Sequence, residues 1–151
     1  MIRKRGDEFL IISRLTDREQ VNNLAEHLLR EVENKQFDTG NGETINLTCS
    51  IGFACYPFIR SQPDEVEWND VIKIADKALY AAKNSGRNAW VGLFSTDKTK
   101  PGNLYQETEK GKKKMLPDIE QLLENGELDI TTSLTDKNSI KWRKAGKKGG
   151  T

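Results

Sequence analysis

The sequence lacks the features of several protein classes. Its 151 residues include two cysteines, one histidine and four prolines, and no apolar run reaches the about 18 residues of a membrane-spanning helix. The basic start is not followed by the apolar stretch of a secretory signal. Six residues of extended chain would hold Cys49 and Cys55 about 20 Å apart, beyond disulfide reach. We therefore expect reduced cysteines and a cytoplasmic location.

Charge is unevenly distributed along the chain. The net charge is +1, but residues 1–94 hold 12 Lys/Arg and 14 Asp/Glu, whereas residues 110–151 hold 10 and 6. Hydrophobic residues make up 35% of the chain and charged residues 31%, which is polar for a single compact fold. This composition predicts a folded unit over 1–94, a polar linker over 95–115 and a basic extension over 116–151 that contains a short helix and strand.

The first third of the chain predicts a strand followed by a helix. The continuous apolar run from Phe9 to Ser13 indicates a buried strand. Thr16 and Glu19 match a capping box, with Thr16 as the N-cap. Apolar residues then recur at helical spacing, which predicts an amphipathic helix to about Lys35.

The middle of the chain predicts a turn, a long strand and a second helix. Asn41-Gly42 favours a tight hairpin turn, and strict alternation from Ile45 to Cys55 predicts one strand, which Pro57 ends. Apolar residues at helical spacing from Trp68 to Ala82 predict the second helix. Gly86 suits a left-handed C-terminal cap.

Shorter elements are predicted after the second helix. A strand is expected over 88–94. The composition of the next segment is that of a linker. In the extension, a small helix is expected over 117–125 and a short strand over 128–134.

Two pairs of charged residues are candidates for chemistry. Asp7 and Glu8 open an apolar strand, where carboxylates can bind a hard cation such as Mg²⁺; the alternative is a charged turn without a ligand. Lys83 and Arg87 flank the predicted helix end and suit the binding of a triphosphate. Their alternative role is structural, since cations are favoured at a helix C-terminus.

Three motifs carry a family resemblance. The stretches "RKRGDEFLII" at 3–12, "SIGFACYP" at 50–57 and "IADKALYAAKNSGRNAW" at 74–90 resemble the later part of the GGDEF domain of diguanylate cyclases, in register from residue 3 to about 94. The resemblance implies an α+β sandwich in which helices pack on a palm-like antiparallel sheet. It also implies condensation of two GTP molecules to cyclic di-GMP, with release of two pyrophosphates.

The resemblance implies a role for each candidate residue. Asp7 and Glu8 would ligate Mg²⁺ or Mn²⁺ as the catalytic acids, with Glu8 also tied to activation of the attacking hydroxyl. Gly6 would let the backbone approach the nucleotide, and Lys83 and Arg87 would contact its phosphates. A homodimer of domains is expected for catalysis, with an upstream sensor domain in the whole protein that is often membrane-attached.

The sequence departs from the family pattern in several places. Lys4 replaces an aromatic residue and Arg5 replaces the first motif glycine, at a cost of about 1 kcal/mol if that position needs a positive φ. No counterpart is present for the second metal-binding aspartate or the guanine-binding residues. We therefore expect an incomplete domain of a larger bacterial cyclase, inactive alone. His27 occupies a position where the family often has a product-site arginine, and a solvated helix residue is the favoured interpretation.

Two other functions remain as alternatives. The changes in the motif also suit a degenerate, non-catalytic module that binds nucleotide or a partner. The lysines at 112–114 and 141–148 could contact nucleic acid, but scattered lysines in a solvated tail are the favoured interpretation. We therefore expect no nucleic-acid partner.

Overall fold

The computed structural model describes residues 1–14 and 17–143. Within these residues, three α-helices are separated by runs of short strands that form mostly antiparallel pairs, which confirms the α+β class. The strands are β1 (Ile2–Arg5), β2 (Glu8–Leu10), β3 (Gln36–Asp38), β4 (Thr44–Asn46), β5 (Ile51–Ala54), β6 (Trp90–Ser95), β7 (Tyr105–Glu107), β8 (Lys113–Met115) and β9 (Leu128–Thr132). The helices are α1 (Arg18–Asn34), α2 (Trp68–Asn84) and α3 (Ile119–Glu124), with 3₁₀ turns at Pro101–Leu104 and Lys137–Ser139.

The main sheet has three strands in the order β5-β6-β9. The β5 and β6 strands run parallel, and β9 pairs antiparallel with the other edge of β6. The predicted antiparallel sheet is therefore a mixed one. The reason is the connection: β5 reaches β6 through α2, and such a helical crossover joins parallel neighbours.

Helix α2 packs on this sheet at very short range. Its inner face buries Ile74, Ala78 and Ala82 completely. A Cβ added at Gly52 of β5 would lie 2.0 Å from the backbone nitrogen of Leu79, so the helix rests on the bare backbone of the strand. The small residues of both elements make this contact possible.

Helix α1 has the predicted extent but a different cap. The Asp17 side chain accepts a hydrogen bond from the Gln20 backbone nitrogen at 2.9 Å, so Asp17 is the N-cap. The predicted N-cap was Thr16, one residue earlier, and this prediction is wrong. Thr16 itself lies outside the described residues. The helix buries Ala25 and Leu29 in a small cluster with Trp90 of the main sheet.

Two predicted strands differ from the structure. The buried strand over 9–13 is wrong: β2 ends at Leu10, and Phe9 is 55% exposed. The β1–β2 hairpin is a two-stranded sheet of its own, separate from the main sheet, and its residues Ile2 and Phe9 are largely exposed. The single strand over 45–55 is also wrong, since β4 pairs with β3 and only β5 joins the main sheet.

The segment predicted as a polar linker is folded onto the rest. Leu104 and Met115 belong to the main core. The β7–β8 hairpin is linked to α2 by a hydrogen bond from the Tyr105 hydroxyl to Asp70 at 3.1 Å. The few apolar residues of 95–115 are thus the ones that pack, although the composition is polar. The predicted α3 and β9 are confirmed, the domain boundaries stay a prediction, and the basic end from 144 onward lies outside the described residues.

Candidate active site

The motif acids lie on the β1–β2 hairpin. Arg5 pairs with Glu8 across the hairpin, which leaves Gly6 and Asp7 as a two-residue turn. Gly6 has a φ of +57°, which glycine adopts without a steric cost, and its carbonyl accepts a hydrogen bond from Arg3 Nε at 2.8 Å. Arg5 is not among the positive-φ residues of the described chain, so arginine causes no backbone strain where the family has glycine.

The hairpin is tied to helix α2 by two ion pairs. Glu8 Oε1 lies 3.0 Å from Lys83 Nζ, although the two residues are 75 positions apart. Lys4 pairs with Asp76 in the same way. Asp76 and Lys83 are seven residues apart, and therefore lie on one face of the helix, so the hairpin lies along that face. Lys4, a departure from the family pattern, thus helps to dock the hairpin.

The Glu8–Lys83 pair is weak enough to open. The two side chains are 36% and 30% exposed, and ion pairs at such positions contribute at most about 1 kcal/mol. A multiply charged anion could therefore attract Lys83 away from Glu8 at little cost. The carboxylate would then be free to accept a cation.

Arg87 is presented by a left-handed turn at the end of α2. Gly86, Arg87 and Asn88 have φ values of +110°, +62° and +46°, and the prediction of a left-handed cap at Gly86 is confirmed. The Arg87 backbone nitrogen donates to the Ala82 carbonyl. Its guanidinium is exposed and has no polar partner within the described chain, so the structure does not pair Arg87 with Asp7 or Glu8.

The two acids suit a divalent cation in chemistry. Asp7 is exposed beside the half-buried Glu8, and Mg²⁺ is commonly held by one or two carboxylates together with water and substrate phosphates. Among the described residues no group of three or more potential ligands is assembled. A cation at the hairpin would thus depend on Asp7, Glu8 and the phosphates.

A polar network behind the turn was not predicted from the sequence. Glu26 accepts from Trp90 Nε1 at 2.7 Å, Arg30 bridges Glu26 and Glu33, and Glu33 accepts from Asn88 Nδ2 at 2.8 Å. The hydrogen bond from Trp90 lowers the pKa of Glu26, and the one from Asn88 lowers the pKa of Glu33. The only sequence signal was the spacing of the three helical residues on one face of α1.

Comparison with known proteins gives a consistent result for the first part of the chain. The family model described as "Diguanylate cyclase, GGDEF domain" matches residues 1–89. The chain is 39% identical over 83 residues to Diguanylate cyclase DosC of Escherichia coli (strain K12), a match that covers 55% of this chain and 17% of that protein.

Two other relatives match the same region. Diguanylate cyclase A of Treponema denticola is 35% identical over 83 residues, or 55% of this chain and 21% of that protein. Response regulator PleD of Caulobacter vibrioides is 34% identical over 88 residues, or 58% and 18%. The matched part of this chain thus spans about a fifth of each relative, and no solved structure matches the chain.

The family assignment and the geometry agree. The matched residues contain the β1–β2 hairpin, both long helices and the turn that carries Arg87. Within residues 1–14 and 17–143, every helix is too short or too polar to cross a bilayer. The family match covers more than half of the chain, and the chain therefore belongs to the GGDEF family of diguanylate cyclase domains.

Proposed function

We propose that residues 1–94 form the metal- and triphosphate-binding part of a diguanylate cyclase domain, which condenses two GTP molecules to cyclic di-GMP and two pyrophosphates. The observation that carries the proposal is the contact of 3.0 Å between Glu8 and Lys83. It brings an acid suited to Mg²⁺ and a cation suited to phosphate to one place.

In this proposal the ion pair exchanges partners when Mg-GTP binds. Lys83 turns from Glu8 to a phosphate oxygen, and the guanidinium of Arg87 adds a second, forked contact. Asp7 and Glu8 are the residues that would hold Mg²⁺, or Mn²⁺, through their carboxylate oxygens. The bound cation would neutralise phosphate charge and acidify the attacking hydroxyl.

The chain's own contribution is positioning and electrostatic stabilisation. The hairpin turn at Gly6 lets the backbone approach the nucleotide, and helix α2 fixes Lys83 relative to Glu8. The attacking 3′-hydroxyl belongs to a second GTP, so turnover needs two loaded domains facing each other in a homodimer. We expect the 151-residue chain to bind Mg-GTP without turnover. Among the described residues, the site contains the two acids Asp7 and Glu8 but no counterpart of the second metal-binding aspartate that the family resemblance implies.

Calorimetric titration of the full chain with Mg-GTP tests the proposal. Asp7→Asn and Lys83→Met should each weaken binding about tenfold or more, since each removes one charge-assisted contact. The matched control is Lys73→Met: Lys73 lies on the same helix but pairs with Asp70, and its loss should leave the affinity unchanged. Absence of binding, or equal losses in all three variants, would contradict the proposal.

The second candidate is a non-catalytic module that binds nucleotide. It is favoured by Lys4, which departs from the family motif and is engaged with Asp76. Metal dependence separates the two functions. Binding through Asp7 and Glu8 requires Mg²⁺, so chelation with EDTA should abolish GTP binding, whereas a degenerate module would bind GTP equally well without the metal.

A further inference from the structure

The turn after helix α2 needs support from outside itself. Gly86, Arg87 and Asn88 all have positive φ values. Glycine adopts this region freely and asparagine tolerates it, but arginine has no such preference. The backbone hydrogen bond from Arg87 to the Ala82 carbonyl holds part of this turn, and contacts from elsewhere in the fold supply further support.

One such contact comes from the end of helix α1. Asn88 Nδ2 donates to Glu33 Oε1 at 2.8 Å across 55 positions of sequence. The other amide atom, Asn88 Oδ1, is buried and has no hydrogen-bond partner within the described chain. Among the described residues, the one hydrogen bond of the Asn88 side chain is therefore the bond to Glu33. Glu33 is itself oriented by Arg30 Nη1 at 2.6 Å.

We infer that Glu33 is a positioning residue for the triphosphate site, acting through Asn88 to hold the turn from which Arg87 reaches the nucleotide. This inference rests on the proposed role of Arg87. Within the described residues, the hydrogen bonds of Glu33 go to Arg30 and Asn88 and not to the hairpin acids or Lys83, so its effect on the site is expected to run through the turn. The Arg87 guanidinium has no polar partner of its own among the described residues. Its direction therefore depends on the conformation of the turn, which the side chain of the next residue, Asn88, anchors to Glu33.

The test compares three variants of the full chain. Glu33→Ala removes the acceptor and should weaken Mg-GTP binding about fivefold to tenfold in calorimetric titration. Glu33→Gln keeps an oxygen that can accept from Asn88, and should restore most of the affinity. Glu31→Ala changes the same charge on the same helix at an exposed position and is the matched control.

Dependence on Arg87 distinguishes positioning from general damage to the fold. In an Arg87→Ala background, Glu33→Ala should cause no further loss of affinity, because the side chain it positions is gone. An additional loss as large as in the wild-type background would overturn the inference. So would equal losses in Glu33→Gln and Glu33→Ala.

A second measurement does not depend on nucleotide. The Arg87 backbone amide donates to the Ala82 carbonyl, and its hydrogen exchange, followed by NMR, should accelerate in Glu33→Ala and not in Glu31→Ala. Unchanged exchange would overturn the inference while leaving the proposed function intact. If exchange accelerates but the wild-type chain binds no Mg-GTP, the proposed function fails and the nucleotide role of Glu33 falls with it.

Discussion

The close packing of α2 on β5 predicts a severe effect for Gly52→Ala. The new Cβ would lie 2.0 Å from the Leu79 nitrogen and 2.4 Å from the Ala75 carbonyl oxygen, whereas ordinary contact begins at 3.4 Å. Helix and strand would have to separate by about 1.4 Å, the difference between 2.0 and 3.4 Å. Both contacts are with backbone atoms, so no side-chain rotation relieves them. We expect a loss of about 3 kcal/mol, the upper end for overpacking.

Urea denaturation followed by tryptophan fluorescence measures this loss. With a slope of about 1–3 kcal/mol/M, a decrease of that size should lower the urea midpoint by about 1–3 M. The lost free energy is a large part of the stability of an ordinary domain. Gly102→Ala is the matched control, because a Cβ there meets no atom within 4 Å. If Gly52→Ala unfolds at the same midpoint as Gly102→Ala, then α2 does not rest on the strand backbone and the packing argument is refuted.

Two further predictions concern titratable groups. Because the hydrogen bond from Trp90 lowers the pKa of Glu26 below 4.5, the unfolded state binds the proton more tightly. The free energy of unfolding should therefore fall as the pH drops below about 5, and it should fall less steeply in Trp90→Phe. Denaturant titrations at a series of pH values measure this, and an equal dependence on pH in the two proteins would contradict it. Burial and then the hydrogen bond to Asp70 raise the pKa of Tyr105 to about 12. Ultraviolet titration should show one tyrosine ionising well above 10, and nearer 10 in Asp70→Asn; a single transition near 10 in the unaltered chain would contradict this.

The candidate site was predicted residue by residue but not as an arrangement. Asp7, Glu8, Lys83 and Arg87 were identified through motifs that are local in sequence. The structure brings Glu8 to Lys83. Arg87 lies on the left-handed turn after α2, and its side chain has no polar partner among the described residues. The links through Asp76 and Glu33 were missed, because polar contacts between side chains far apart in sequence leave no periodic signal.

The sequence by itself determined the elements whose signal is local. Both long helices follow from apolar residues at helical spacing, and the left-handed cap at Gly86 follows from the lack of a side chain. The short α3 and β9 were predicted on the same grounds. Each of these depends on interactions within a few residues, which a sequence records directly.

Only the tertiary structure decided which apolar residues are buried and which strands pair. Phe9 belongs to an apolar run yet is exposed, and Leu104 belongs to a polar segment yet is fully buried. The alternating run over 45–55 serves two different sheets. The physical reason is that burial and strand pairing depend on a partner distant in sequence, and alternation or composition cannot specify where that partner lies.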